Sequence, residues 1–334
     1  MIKKILISFL TLLLLNWILL PRPTALSWGF YGHKKINRLA VFTLPEQILP
    51  FYKSHIEFIT EHAVDPDKRR YAVEGEAAHH YIDIDHYGDL KKGENPFEIV
   101  PKTWKDAVQK FTEDTLLEYG IVPWWIPKVY YRLVKAFEEK NIDKILRYSA
   151  DIGHYIGDAH VPLHTTENYN GQLTGQKGIH GLWESRLPEL FADNYDFWTG
   201  KATYRKNILN EAWDAVYGSH MAMDSVLTIE RELTEEFPTD KKFTYETRGR
   251  VLVKTYSKEF ADAYHQRLNG MVERRMRRAI ITVGSIWYSA WVKAGMPQLK
   301  ELENATPSKE LLEEEKQLDN AFSSGKIKGR EHEE

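Results

Sequence analysis

The chain has 334 residues, 48 acidic against 45 basic, and a formal charge of −3. It contains no cysteine, which excludes a disulfide framework, thiolate metal sites and a cysteine nucleophile. The acidic balance also argues against a tight duplex-DNA binder, which presents a basic face.

Residues 1–27 read as a secretory signal peptide. Lys3 and Lys4 form a positive start, residues 5–20 are almost uninterruptedly apolar, and Ala25-Leu26-Ser27 offers a small-residue cleavage site. The apolar run is short against the roughly 20 residues typical of a spanning helix. The expectation is therefore cleavage before Trp28, export to the periplasm or exterior, and no membrane span thereafter. Removing the leader's three positive charges takes the formal charge to −6. Residues 28–300 are expected to form one helical domain, and residues 301–334 a charged tail, helical to disordered.

Within that domain, residues 34–44 and 45–62 predict helices, the second with an apolar stripe at mixed three- and four-residue steps. Residues 63–70, AVDPDKRR, break at Pro66 and read as a charged loop. A helix is expected over 104–119, a connector over 121–128, and helices over 129–139, 142–160 and 204–237. A further long helical region is expected over 244–294, interrupted near Gly270, with Trp287, Tyr288 and Trp291 at core-like spacing. No internal repeat, alternating strand pattern, Rossmann glycine motif or Walker loop is found. The expected fold class is all-α.

Chemistry concentrates in residues 151–184, which carry His154, His160, His164 and His180 with Asp151, Asp158, Glu167 and Glu184. His154 and Asp158 share a helix face, as do His180 and Glu184. Pro162 ends the first helix, and a loop, NYNGQLTGQKG, separates the two pairs. Neutral imidazoles and carboxylates at this spacing on facing helices form a cage for Zn²⁺ or a similar cation. A second cluster, EGEAAHHYIDIDHY, places His79, His80 and His86 beside Asp83 and Asp85.

Taken in order, Trp28, His33, Asp65, His80, His154, Asp158, His164, His180 and Glu184, together with the segments HYIGDAHVPLH and HHYIDID, form a recognisable series. It resembles the superfamily that joins the zinc-dependent single-strand nucleases of fungi and plants to bacterial zinc-dependent phospholipase C. The resemblance implies a mainly helical fold with about three zinc ions at the base of a cleft. It implies one zinc on Asp65, His80, His154 and Asp158, and a second on His164, His180 and Glu184. A third would lie on the amino group and carbonyl of Trp28, on His33, and on Asp158 as a bridge. It also assigns Asp65 to orient the nucleophilic water and Lys68 to stabilise the transition state. Asp83, Asp85, Asp151 and His160 are candidates to orient the ligand imidazoles.

The resemblance implies a zinc-dependent phosphodiester hydrolase, with a nuclease or 3′-nucleotidase on single-stranded nucleic acid as the first expectation. The short step from Trp28 to His33, the spacing of Asp65 to His80 and Trp183 before the last ligand lean that way. Glu184 in place of Asp, and a loop that departs from the nucleases' glycine-glycine-asparagine pattern, lean towards phospholipase C-like action on phospholipid head groups. Asn168, Tyr169 and Asn170 are the candidate substrate residues of that loop. Phe30, Tyr31, Trp124 and Trp125 are candidate platforms for a base, or a surface for lipid. A protein that binds metal or lipid without turnover is the reading from another class. No protein partner is expected.

Overall fold

The computed structural model describes residues 29–248, 251–323 and 325. The predicted signal peptide and the predicted ligand Trp28 lie outside the described residues. The helices that carry the core are α1 (Phe30–Val41), α2 (Val122–Glu138), α3 (Ile142–Ala159), α4 (Ile208–Glu236), α5 (Lys258–Arg267), α6 (Met271–Lys293) and α7 (Lys309–Ser323). One antiparallel hairpin, β1 (Phe243–Arg248) with β2 (Val251–Tyr256), interrupts them. The fold is all-α apart from this hairpin.

Helix α3 is the axis of the domain and packs against α1, α2, α4 and α6. The Asn141 side chain caps its start by accepting from the Lys144 N–H at 3.0 Å. Every residue from Ser149 to Ala159 is buried, as expected of a helix walled in on all sides. Each fully buried Leu or Ile, such as Leu146 and Ile152, contributes roughly 1.5–3 kcal/mol of transfer free energy. Trp287 of α6 stacks on Tyr52 at 4.8 Å and donates to the Ser149 carbonyl at 3.0 Å, so its core role is structural.

Two glycines allow α1 to lie against α3. A Cβ on Gly153 would fall 1.9 Å from Asn37 Oδ1, and one on Gly157 would fall 2.8 Å from His33 Nδ1. Asn37 donates to the carbonyls of Ala150 (3.0 Å) and Ile59 (3.3 Å), tying α1 to both neighbours. His33, one turn before Asn37 on the buried face of α1, is thereby aimed at the part of α3 that carries His154 and Asp158.

Several elements differ from expectation. The region expected to be helical from residue 244 begins with the hairpin, because Phe-Thr-Tyr-Glu-Thr and Val-Leu-Val-Lys-Thr-Tyr alternate β-branched and aromatic residues. The predicted interruption near Gly270 is present, with φ +71° at that residue. The 104–119 helix is two helices, Trp104–Phe111 and Glu113–Glu118, broken at Thr112 with φ +69°. The supposed connector at 121–128 is the first turns of α2. Pro123 sits where no backbone donor is needed, and Pro127 is carried inside the helix. The charged loop after Val64 is likewise helical over Asp65–Arg69, with Pro66 in its first turn. Among the described residues no helix is long and apolar enough to cross a membrane.

Candidate metal centre

Five segments converge beside α3. Asp158 Oδ2 lies 3.2 Å from His154 Nε2 one turn earlier and 3.0 Å from His80 Nδ1. Its Oδ1 lies 3.4 Å from His33 Nε2 on α1. His33 Nε2 also lies 3.4 Å from Glu184 Oε1. Glu184 Oε2 in turn lies 3.2 Å from His164 Nε2 and 2.6 Å from His180 Nε2. His180 and Glu184 sit on a short α turn running into a π-helical one, Ile179–Gly181 and Leu182–Arg186, and the four-residue step still brings them together.

Three ligand groups lie together here: His33, His154 and Asp158, and Asp67, His80 and His154, which share His154; and His164, His180 and Glu184, which meets His33 through Glu184. Tetrahedral zinc with bonds near 2.0–2.1 Å holds its ligand atoms about 3.3 Å apart. The separations of 3.0 Å between His80 Nδ1 and His154 Nε2, and 3.3 Å between His164 Nε2 and His180 Nε2, fit that spacing. The donor set is nitrogen and carboxylate oxygen, which suits zinc.

The outward nitrogens of three of these rings are fixed by the main chain. His154 Nδ1 donates to the Ala63 carbonyl (2.9 Å), His164 Nδ1 to the His80 carbonyl (2.7 Å) and His180 Nδ1 to the Tyr169 carbonyl (3.2 Å). Each bond places the proton on Nδ1 and leaves the Nε2 lone pair for a cation. Burial pushes the Asp158 and Glu184 carboxyls up, but the surrounding imidazoles hold both well below the usual carboxylate range. His164, despite its burial, is pulled up to about 9 by Asp158 and Glu184. The carboxylates therefore stay ionised and favour positive charge among the rings.

His33, His80, His154, Asp158, His164, His180 and Glu184 thus come together. Asp65 does not join His80 and His154; Asp67 does, with Oδ1 3.8 Å from each ring. Residues two apart on a helix point about 200° from each other, so only one acid of Asp65-Pro66-Asp67 can face the rings. Asp65 instead accepts from His62 Nδ1 (2.7 Å) and Lys68 Nζ (3.0 Å). Nothing in the spacing separates the two aspartates. Although Trp28 is not described, its neighbour Gly29 abuts the centre: a Cβ there would lie 3.0 Å from Glu184 Oε1.

Of the residues proposed to steady the ligands, three have other partners. Asp151 pairs with Arg69 at 2.9 Å. Asp85 accepts from Thr166 Oγ1 (2.6 Å) and the Glu167 N–H (3.0 Å). His160 donates from Nδ1 to the Ile156 carbonyl at 2.7 Å. Burial, then the charge of Arg275, lower its pKa to about 3, so it is neutral at pH 7. Between pH 6.5 and 3 the unfolded chain takes up a proton there that the folded chain refuses, so stability falls on acidification. His160→Phe is expected to show a shallower loss of stability between pH 6.5 and 4 than the parent, measured by denaturant unfolding of the metal-stripped proteins.

Helix α7 lies against this region. Glu315 reaches His62 (3.0 Å), Asp319 reaches Lys68 (2.9 Å) and Glu314 pairs with Arg147. Phe322 meets Phe30 at 5.7 Å and Tyr71 at 5.0 Å. Between α7 and the body runs a cavity of about 570 Å³ lined by Arg69, Trp125, Arg132, Arg147 and Glu314 among others.

The family model of zinc-dependent phospholipase C matches residues 32–237, from the first turn of α1 to the end of α4. The chain belongs to the zinc-dependent phospholipase C family. It is accordingly a zinc-dependent phosphodiesterase, a hydrolase of ester bonds, and it carries groups of His, Asp and Glu side chains that could hold a metal ion. Helix α7 lies outside the residues matched to the zinc-dependent phospholipase C family. No curated protein matches the chain.

Proposed function

We propose that this enzyme is exported and hydrolyses the phosphodiester of phospholipid head groups. The observation that carries the choice of substrate is the state of the 168–178 loop. Asn168 Oδ1 accepts from the Leu173 N–H at 2.8 Å, and its Nδ2 donates to Thr174 Oγ1 at 3.0 Å. Asn170 Oδ1 accepts from the Gly178 and His180 N–H groups at 3.0 and 3.4 Å. Tyr169 contributes its carbonyl to His180. These amides build the loop and aim a ligand, a role different from reading a nucleobase. Of the aromatic candidates, Trp124 is buried and Phe30 faces Phe322.

The three ligand groups would hold up to three zinc ions, with the amino group of mature Trp28 added beside Gly29. Bound zinc supplies a water acidified to near neutrality and a Lewis acid for the phosphoryl oxygens. The chain's part is to hold the donors in one tautomer and keep Asp158 and Glu184 ionised, while the Lys68 ammonium, the candidate transition-state cation, is ion-paired with Asp65 and Asp319. Asp65, bonded to Lys68 and His62, positions that cation in this reading.

Single-stranded nucleic acid is the second reading, favoured by Trp125. Its ring stacks on His79 at 3.4 Å and carries Lys128 and Arg132 over it at 4.7 and 5.2 Å, a cationic aromatic platform. The test assays the purified mature chain on phosphatidylcholine vesicles, single-stranded RNA and single-stranded DNA. Release of phosphorylated head group, abolished by chelator and restored by zinc, is expected. Cleavage of nucleic acid with no head-group release would overturn the lipid reading in favour of the second.

A further inference from the structure

His80 is oriented unlike the three rings held by carbonyls. It turns Nδ1 inward, 3.0 Å from both Asp158 Oδ2 and His154 Nε2. Its outward Nε2 is buried and has no hydrogen-bond partner. The group it faces is a carboxylate, Glu76, whose Oε1 stands 3.8 Å away. That is longer than the 2.7–3.2 Å or so of a normal N–H···O bond, and no other acceptor bonds this nitrogen.

Glu76 is well placed to wait for such a donor. It is buried, with 4% of its surface exposed. Tyr155 OH donates to its Oε1, Arg69 Nε faces the same oxygen at 3.5 Å, and His79 Nδ1 donates to Oε2 at 3.2 Å. Tyr155 adjoins His154 on α3, and Arg69 is two residues beyond Asp67. One carboxylate therefore touches the three segments that supply Asp67, His80 and His154. Burial works against its charge, yet His79 and Arg69 hold its pKa down at about 2.

We propose that Glu76 is a positioning residue: it accepts the Nε2–H of His80 and so directs the Nδ1 lone pair of that ring to zinc. A neutral imidazole carries one proton, and two carboxylates compete for it here, Asp158 at Nδ1 and Glu76 at Nε2. A proton on Nδ1 would remove the ligand; Glu76 draws it to the far side. Signals for this role were present in the sequence as Glu76 and His80 four apart, but the spacing alone does not say which ring nitrogen faces the acid.

The inference rests on His80 being a zinc ligand, not on which phosphodiester is cleaved. Glu76→Gln keeps the shape but offers an amide that can donate to Nε2 and stabilise the wrong tautomer. With the full mature chain, competition against a chromophoric chelator is expected to show one class of zinc bound 10–100-fold more weakly in Glu76→Gln. Tyr155→Phe removes another bond from the same buried carboxylate without touching the tautomer, and is expected to retain zinc affinity. Nitrogen-15 NMR of the zinc-loaded parent is expected to show His80 protonated at Nε2, a readout independent of any variant. Zinc affinity in Glu76→Gln within threefold of the parent, an equal loss in Tyr155→Phe, or an Nδ1–H tautomer overturns the proposal. A parent chain that binds no zinc would instead overturn the ligand assignment itself.

Discussion

Asp158→Asn is expected to lower zinc content and to reduce phosphodiester hydrolysis by at least about 100-fold, since changing groups that merely support a ligand already costs 10–100-fold. No other carboxylate in the centre meets so many rings. One oxygen faces His80 and His154 at 3.0 and 3.2 Å; the other faces His33 and His164 at 3.4 and 3.6 Å. An amide keeps one oxygen and replaces the other with an N–H₂ group, which points a donor at ring nitrogens of His80 and His154, or of His33, that should offer lone pairs. The folded protein keeps Asp158 ionised well below the ordinary carboxylate range, so at neutral pH the substitution also deletes a full negative charge from a buried cluster of imidazoles. Metal analysis of the variant beside its rate checks this. Parent-like zinc content with a parent-like rate would remove Asp158 from the centre.

Gly153→Ala should be a strongly destabilising single-methyl change beside the centre. The added carbon would meet Asn37 Oδ1 at 1.9 Å and Cγ at 2.7 Å, and the Asn37 side chain is itself bonded to two main-chain carbonyls and fully buried. Overpacking of this kind costs about 1–3 kcal/mol. Displacing Asn37 leaves buried carbonyls without that donor, for a further 1–3 kcal/mol or so. Because His33 rides on the same helix one turn away, zinc affinity should fall along with stability. Denaturant unfolding with and without chelator separates the two effects: the variant should unfold earlier in both conditions and gain less than the parent from added zinc. An unchanged midpoint would show that α1 can move away from α3 at no cost.

The parts of the centre readable from sequence are those governed by helical spacing. His154 with Asp158 and His180 with Glu184 meet because four residues make about one turn, and that holds even where the second pair enters a π turn. His33, His80 and His164 were readable through the resemblance. Other features depend on which way a short segment faces. Asp65 and Asp67 flank one proline, and only the fold turns Asp67 to the rings. Asn168 and Asn170 look like polar groups awaiting a ligand until their partners within the loop are seen. Proline opens a helix as readily as it ends one, as Pro66 and Pro123 do here. The hairpin at Phe243–Tyr256 shows its β-branched alternation plainly, but it is flanked by long helices whose pattern dominates any wide window.

The contact between Phe30 and Phe322 sets a condition on how the protein is made. The ligand side chains lie within residues 33–184, so a ribosome releases all of them while α4 to α7 are still to come. During that interval His62, Lys68 and Arg147 have no Glu315, Asp319 or Glu314 to meet, and the aromatic face of Phe30 and Tyr71 is bare. Joining positions so far apart in the chain is a late and slow event in folding. The flank of the centre is therefore closed only when the last helix of the described chain, α7, comes to lie against it.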